Sequence, residues 1–152
     1  WVGGEAGGYY NFTQQSGANP CTDAWTFDTN LPISLARYSG TVFNGKIYVV
    51  AGETSLSVTQ DDVYEGAVSA GNVTWTTYSN VLPSPAGMGG GFPTRASLIV
   101  VGTKMVLIGG LDVFGGATAA IYESNDGQTW SAVSGAALPF TRGGGGAAAF
   151  AL

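Results

Sequence analysis

Three arginines are the residues of this chain whose type and spacing most clearly suit a binding or catalytic site. Arg37, Arg95 and Arg142 each come after a Leu-Pro pair, namely Leu31-Pro32, Leu82-Pro83 and Leu138-Pro139. Clustered guanidinium groups can hold a carboxylate through paired hydrogen bonds, so an acidic ligand is one hypothesis for the trio. Their identical positions favour another hypothesis, because a single ligand needs unlike contributions from its neighbours. We expect each arginine to stabilise its own part of a repeat.

The remaining polar residues give little support for metal or cofactor chemistry. The chain has no histidine, which is the commonest metal ligand and a frequent general base. Asp61, Asp62 and Asp112 could offer oxygen ligands to calcium, but they do not form an Asp-x-Asp-x-Asp-Gly loop. We interpret them as solvated loop charges. The sequence predicts no catalytic residue, no metal site and no cofactor.

The chain also lacks the features of phosphate, nucleic-acid and membrane binding. Glycine-rich runs at 87–92 and 143–146 do not end in the Lys-Ser/Thr pair of a phosphate loop. The net charge is −5, with only five basic residues, which leaves no basic patch for a nucleic acid. No apolar run approaches the roughly 20 residues of a membrane helix. We therefore predict no nucleic-acid partner and no membrane span.

Two Asn-x-Thr sequons begin at Asn11 and Asn72, and such motifs accept glycans on the surface loops of secreted proteins. Asn72 is the better placed, because it lies in a predicted turn. Both are predicted glycosylation sites, and with the low lysine content they favour an extracellular or cell-surface protein. The single cysteine, Cys21, cannot form a disulfide within the chain. It either remains a thiol or bonds to a partner or to a further part of the same protein.

The elements that must position these residues are short strands in a repeat. The stretch GKIYVVAG at 45–52 is echoed by TKMVLIGG at 103–110. One common offset (95 − 37 = 58) relates four landmarks, namely Arg37 to Arg95, Lys46 to Lys104, Gly52 to Gly110 and Tyr64 to Tyr122. The tryptophans Trp75 and Trp130 have a slightly smaller offset (130 − 75 = 55), as a shortened turn would explain. Repeats near 50 residues that divide into several strands are typical of propellers.

Each repeat divides into four predicted strands separated by glycine and asparagine turns. The first strand follows the arginine, the second is the apolar run, the third surrounds the tyrosine and the fourth carries the tryptophan. An N-terminal copy begins at the end of a second strand, WVGGE. The predicted blade units are 1–36, 37–94 and 95–141. Residues 142–152 form the first strand of a blade that 1–36 of the same or another chain completes.

These residues resemble the kelch-type β-propeller family. The resemblance rests on the arginine-led strand, the lysine-led apolar run that ends in glycine, and the tyrosine and tryptophan that follow. It spans essentially the whole chain. It implies an all-β propeller of four-stranded antiparallel blades, with about three blades in this chain. The copper chemistry of galactose-oxidase-like kelch proteins uses histidine, which this chain lacks.

The stretch SNDGQTW at 124–130 is similar to the Asp-box of sialidase-like propellers. It departs from that motif by one residue, because alignment on Gly127 puts Glu123 and Asn125 where the serine and aspartate should be. We interpret it as turn chemistry that propellers share.

Sialidase chemistry would also need a nucleophilic Tyr-Glu pair. Tyr64-Glu65 and Tyr122-Glu123 are adjacent in sequence, but neighbours on a strand point to opposite faces. We therefore do not favour either pair as a nucleophile.

The leading prediction is a non-catalytic extracellular or cell-surface module for protein or glycan binding or for structural assembly. Propellers close with about four to eight blades, so three blades need partners. Those partners are other copies of the chain or further blades of the same protein. Two alternatives stay open: a fragment of a sugar-acting enzyme such as a sialidase-like glycosidase, and a subunit of an extracellular filament or surface lattice. The sequence does not identify the ligand.

Overall fold

The computed structural model describes residues 14–15, 21, 26–55, 58–83, 94–112, 114–141 and 143–144. Every helix or strand assigned in these ranges is a β-strand, which confirms the all-β class. The strands are β1 (Gln14–Gln15), β2 (Thr26–Phe27), β3 (Ser39–Phe43), β4 (Lys46–Val50), β5 (Glu53–Ser55), β6 (Val58–Thr59), β7 (Val63–Ser69), β8 (Asn72–Tyr78), β9 (Ser97–Val101), β10 (Lys104–Ile108), β11 (Ile121–Ser124) and β12 (Ser131–Ala132).

Two four-stranded antiparallel sheets form most of the described fold. The first sheet has the order β3-β4-β7-β8, and the second has the order β9-β10-β11-β12. Asn44 and Gly45, which join β3 to β4, both have positive φ, 49° and 75°, as a type I′ hairpin turn requires. The small sheets β1-β2 and β5-β6 complete the set. The β5-β6 hairpin lies in the connection from β4 to β7 and was not predicted.

The repeat offset found in the sequence holds for backbone contacts as well as for residue types. Beside the first sheet, an isolated antiparallel bridge joins Ala36 to Glu53. In the second sheet, the corresponding bridge joins Thr94 to Leu111, and each of these residues lies one repeat offset after its counterpart. The two sheets are therefore built from equivalent parts of the repeat.

The two sheets pack face to face, with their first strands β3 and β9 beside each other. The Ser39 hydroxyl donates to the Ala96 carbonyl across this contact. Buried apolar side chains fill the space between the sheets, which we call the sheet interface; among them are Tyr48, Val50, Val63, Leu98, Met105, Leu107 and Trp130. Burial of each large apolar side chain contributes about 1.5–3 kcal/mol. The sheet interface is therefore a main source of stability.

The leucines of the Leu-Pro pairs lie at the faces of the sheets. Leu31 packs with Val49 and Tyr64 on the face of the first sheet that points away from the second. Leu82 is buried in the sheet interface itself. Each leucine therefore covers the sheet that follows it in the chain.

The tryptophan strand is regular in the first sheet only. Trp75 lies in β8 as predicted, whereas Trp130 precedes β12, which is two residues long. The reason is the turn before it, where the Asp126 carboxylate accepts the backbone N–H groups of Gln128 and Thr129 at 2.8 Å. Those N–H groups are then committed to the turn rather than to a strand ladder.

Part of the predicted organisation lies outside the described ranges. This is true of the start of the N-terminal copy, WVGGE, and of most of the predicted final strand, 142–152. Completion of a third blade therefore stays a prediction, as do the blade boundaries. Within the described ranges, no helix has the length and apolarity needed to cross a membrane.

Candidate functional site

The backbones of Arg37 and Arg95 meet where the two sheets come together. The Arg95 N–H donates to the Arg37 carbonyl at 2.8 Å, and each arginine stands just before the first strand of its sheet. Both have positive φ, 57° and 55°, a left-handed conformation that is uncommon outside glycine. The structure brings together two of the three arginines that the sequence singled out. Arg142 lies outside the described residues.

The guanidinium groups of these two arginines have different surroundings. Arg37 Nη1 lies 2.5 Å from Glu53 Oε1, and Glu53 is buried. This ion pair gives Arg37 a structural role, because it joins the segment before β3 to the start of β5. In the second sheet Leu111 occupies the position of Glu53, and the exposed Arg95 has no carboxylate partner among the described residues. The two arginines are therefore equivalent in backbone and different in charge environment.

A cluster of polar side chains lies at the junction of the two sheets. Glu65 is buried on β7, and its Oε1 accepts a hydrogen bond from Lys46 Nζ at 2.6 Å. Its Oε2 accepts from the Tyr48 hydroxyl at 2.9 Å and from the Tyr78 hydroxyl at 3.3 Å. Gln128, from the second sheet, donates to the Tyr78 oxygen at 3.2 Å. We call these five residues the Glu65 cluster.

Hydrogen bonding and burial set the charges in the Glu65 cluster. Burial alone raises the pKa of Glu65, but the hydrogen bonds from Lys46 and Tyr48 outweigh it and leave that pKa below its ordinary value. The hydrogen bond to Glu65 in turn raises the pKa of Lys46. Burial, reinforced by the Glu65 charge, raises the pKa of the hydroxyls of Tyr48 and Tyr78. At neutral pH, Glu65 is therefore an anion held by one cation and two neutral donors.

The Glu65 cluster contains the residue types of a tyrosine nucleophile, but its geometry is that of a structural network. Tyr48 is 3% exposed, and its raised pKa favours the neutral phenol over the nucleophilic phenolate. The Tyr64 ring points to the other face of the sheet, where it packs with Leu31 and Val49. The sequence neighbours Tyr64 and Glu65 are therefore not partners. The tyrosines that do meet Glu65 are Tyr48, its cross-strand partner, and Tyr78.

The Asp-box-like stretch builds a turn from its own polar groups. Asp126 accepts the N–H groups of Thr129 and Gln128 at 2.8 Å, and these bonds lower the pKa of the Asp126 carboxyl. The Ser124 hydroxyl accepts the N–H of Gly127 at 2.8 Å. The two side chains that give the stretch its likeness to an Asp-box are thus engaged within the turn, which supports the interpretation as turn chemistry.

Gly127 places this turn directly against the first sheet. Its φ is +81°, and a Cβ added there would lie 2.2 Å from Cε1 of Tyr48. The Tyr48 hydroxyl also lies 3.2 Å from the Asp126 carbonyl, and Trp130 Nε1 donates to the Gly127 carbonyl at 3.1 Å. Because no side chain fits between Gly127 and the tyrosine ring, the turn and the first sheet interlock.

Two of the three aspartates considered for calcium, Asp62 and Asp112, hold loops through their side chains. Asp61 and Asp62 precede β7, and Asp62 accepts the N–H of Asn80 at 3.1 Å. Asp112 accepts the N–H of Gly116 at 2.6 Å. Across the ranges that the structure describes, no three His, Cys, Asp or Glu residues are grouped as they would be around a metal ion.

The predicted modification site at Asn72 is accessible. Asn72 is the exposed first residue of β8, and Thr74, the third residue of its sequon, is exposed as well. The hairpin turn before it is Ala70-Gly71, both with positive φ, one residue earlier than the predicted Gly71-Asn72. Cys21 is also exposed. Asn11 lies outside the described residues.

Comparison with known proteins supports the fold and leaves the activity open. No family model matches the chain, and no curated protein matches it. The chain is similar to the solved structure of YjhT, with a TM-score of 0.69 and 15% sequence identity. The likeness covers 91% of this chain and 42% of YjhT. At this identity the likeness concerns the fold alone, and the chain spans less than half the length of that protein.

Proposed function

We propose that this chain is part of a β-propeller that serves as a non-catalytic extracellular or cell-surface module for protein or glycan binding or for structural assembly. The observation that carries the proposal is that the polar residues best suited to chemistry have structural roles. Arg37, Glu65 and Asp126 are the groups whose types best suit chemistry, and each of them holds strands, a turn or two sheets together.

Two observations support the propeller, and a third shows that the arrangement of the two sheets is also found in a solved structure. The two sheets have the same strand order and repeat the same bridge after one repeat offset. They meet at their first strands, β3 and β9, as blades around a common axis do. The fold similarity to YjhT extends over 91% of the chain, and so it includes both sheets.

An extracellular location is supported by the sequon at Asn72. An acceptor asparagine must be reached by the transferring enzyme, and Asn72 and Thr74 are both exposed beside a hairpin turn. Surface position in a loop or turn is the context in which such a sequon is used.

A sugar-acting enzyme is the second candidate, and Arg95 is the observation that favours it. Within the described part of the chain, its exposed guanidinium lacks the acidic partner that Arg37 has, and a guanidinium can bind a carboxylate bidentately. A filament or surface-lattice subunit is the third candidate. It shares with the leading proposal the need for each sheet to be covered by a neighbour.

The decisive experiment combines a binding screen with an activity screen on the same purified chain. We expect binding to an arrayed glycan or extracellular protein and no release of fluorophore from fluorogenic glycosides, including acidic ones. Arg95→Ala and the charge-preserving Arg95→Lys serve as matched variants. Hydrolysis that Arg95→Ala abolishes and that Arg95→Lys weakens, because lysine keeps the charge and loses the bidentate contact, would replace the proposal with the enzyme. The absence of both binding and assembly in every assay format would also refute the proposal.

A further inference from the structure

The hydroxyl of Tyr48 has one proton and two acceptors within reach. Glu65 Oε2 lies 2.9 Å from the phenol oxygen, and the backbone carbonyl oxygen of Asp126 lies 3.2 Å from it. The first acceptor is on β7 of the same sheet, whereas the second is in the turn between β11 and β12 of the other sheet. Because a phenol has a single proton to donate, a full hydrogen bond to one acceptor leaves the other with a weaker contact.

The charge of Glu65 determines which acceptor receives this proton. An ionised carboxylate only accepts hydrogen bonds, and a bond to an ionised group is roughly twice as strong as one between neutral groups. While Glu65 is an anion, the Tyr48 proton therefore lies on the shorter contact, toward Oε2. Within the described part of the chain, the Asp126 carbonyl has no other donor, so it is then left with the weaker contact.

Protonation of Glu65 would reverse this preference. Lys46 Nζ donates to Oε1 at 2.6 Å, so the added proton binds Oε2, the oxygen that faces the two phenols. Oε2 then becomes a donor. The Tyr78 oxygen is 3.3 Å away and already accepts from Gln128, which makes the Tyr48 oxygen the better acceptor. Once that oxygen accepts, the Tyr48 proton is released from Glu65 and can point to the Asp126 carbonyl.

The ionisable groups around Glu65 allow this change in acid. They are Lys46 and Tyr48 on β4, Tyr78 on β8 and Asp126 in the turn. The pKa values of the lysine and of both phenols are raised, so these three groups keep their protons in acid. The pKa of Glu65 lies below its ordinary value, and backbone N–H groups of its own turn hold the pKa of Asp126 low as well. The two carboxyl groups are therefore the ones in this group that titrate in acid.

We propose that Glu65, Tyr48 and the Asp126 carbonyl form a proton-controlled hydrogen-bond switch between the two sheets. With Glu65 ionised, the Tyr48 hydroxyl joins β4 to β7 within the first sheet. With Glu65 protonated, the same hydroxyl donates to the Asp126 carbonyl and joins the first sheet to the turn of the second. No strand has to move, because the contact to Asp126 needs only to shorten from 3.2 Å to the usual range of about 2.5–3.0 Å.

Carbon NMR of the 152-residue chain tests the switch directly. A carbonyl carbon moves to higher frequency when its oxygen gains a hydrogen bond. In a titration from neutral pH into acid, we expect the Asp126 carbonyl carbon to make such a move with the same midpoint as the side-chain carboxyl carbon of Glu65. The carboxyl carbon of Asp126, followed in the same spectra, gives the midpoint of its own titration and so identifies any effect that arises from it.

Glu65→Gln imitates the protonated state at neutral pH. Its amide has one accepting oxygen and one donating nitrogen. Lys46 attracts the oxygen, which leaves the nitrogen to donate to Tyr48. We expect the Asp126 carbonyl carbon of this variant to lie at the acid position of the wild type already at neutral pH. This measurement needs no acid, so it remains decisive if the wild type unfolds before Glu65 is protonated.

Tyr48→Phe is the matched control, because it removes the shared proton and keeps the ring. We expect it to abolish the step at the Glu65 midpoint and to leave any step at the Asp126 midpoint in place. A wild-type carbonyl shift that follows only the Asp126 carboxyl overturns the inference. A Glu65→Gln carbonyl at the neutral wild-type position overturns it too, as does a Glu65 step that survives in Tyr48→Phe. None of these outcomes depends on the binding and activity screens, so the switch and the proposed function can fail separately.

Discussion

Replacement of Gly127 by alanine tests the interlock between the second-sheet turn and the first sheet. Two costs add at this position. A non-glycine residue at φ +81° costs about 1–2 kcal/mol. The new Cβ, 2.2 Å from the Tyr48 ring, must displace that ring or the turn, at the cost of about 1–3 kcal/mol that overpacking brings. We expect a loss of about 2–5 kcal/mol in the free energy of unfolding.

Gly135→Ala is the matched control for this prediction. Gly135 also has a positive φ, +72°, but a Cβ there would meet no atom within 4 Å. It carries only the conformational cost of about 1–2 kcal/mol. Urea unfolding followed by tryptophan fluorescence would measure both variants. Equal losses for the two substitutions would contradict the reasoning, because the Tyr48 contact would then contribute nothing.

Three further predictions concern ion pairs, pH and glycosylation. Arg37→Met should lower the free energy of unfolding by about 1–3 kcal/mol, because the buried Glu53 loses its ion pair with Arg37. Arg95→Met should change the free energy of unfolding by less than about 0.5 kcal/mol, and equal effects in thermal melts would contradict the structural role of Arg37. The lowered pKa of Glu65 contributes stability that is present above the ordinary value of 4.5 and is lost as the pH falls through the lowered value. Glu65→Gln should therefore flatten the pH dependence of urea unfolding below pH 4.5, and an unchanged slope would rule this out. In material from a secreting eukaryotic host, Asn72→Gln should remove the mass of one glycan in intact-protein mass spectrometry, and an unmodified wild type would refute that site.

The strands could be predicted because apolar runs and turn residues are local signals. The second strand of each sheet lies within the predicted stretches, at Lys46–Val50 and Lys104–Ile108. The turn at Asn44-Gly45 has the backbone that its residues favour. The repeat offset also carried over, since it reappears in the bridges between strands.

The Glu65 cluster could not be predicted because its members are brought together by cross-strand register. Tyr48 lies opposite Glu65 only because β4 pairs with β7 in one particular register. Gln128 joins from another sheet, far along the chain from Tyr78. A sequence search for adjacent Tyr-Glu pairs selected Tyr64, which the alternation of side chains along a strand sends to the opposite face.

The different surroundings of Arg37 and Arg95 were also invisible in the repeat. Equal spacing predicted equal roles, and the backbones do match in φ. The difference arises at the bridge partner, where Glu53 in one sheet becomes Leu111 in the other. The sequence does contain a signal for this difference. It lies in Glu53 and Leu111, which are one repeat offset apart, and not in the arginines themselves.

The close approach of Gly127 to Tyr48 has a consequence for the order of the units along the chain. Alignment on the tryptophans, Trp75 and Trp130, puts Asn72 at the position of Gly127 (127 − 55 = 72). A chain that carried unit 37–94 twice in tandem would therefore bring a side chain onto the tyrosine ring where only hydrogen fits. We expect duplication or exchange of units by recombination to lower the stability of the protein through a steric clash at this contact. We therefore expect units 37–94 and 95–141 to share a backbone plan without being interchangeable at this contact.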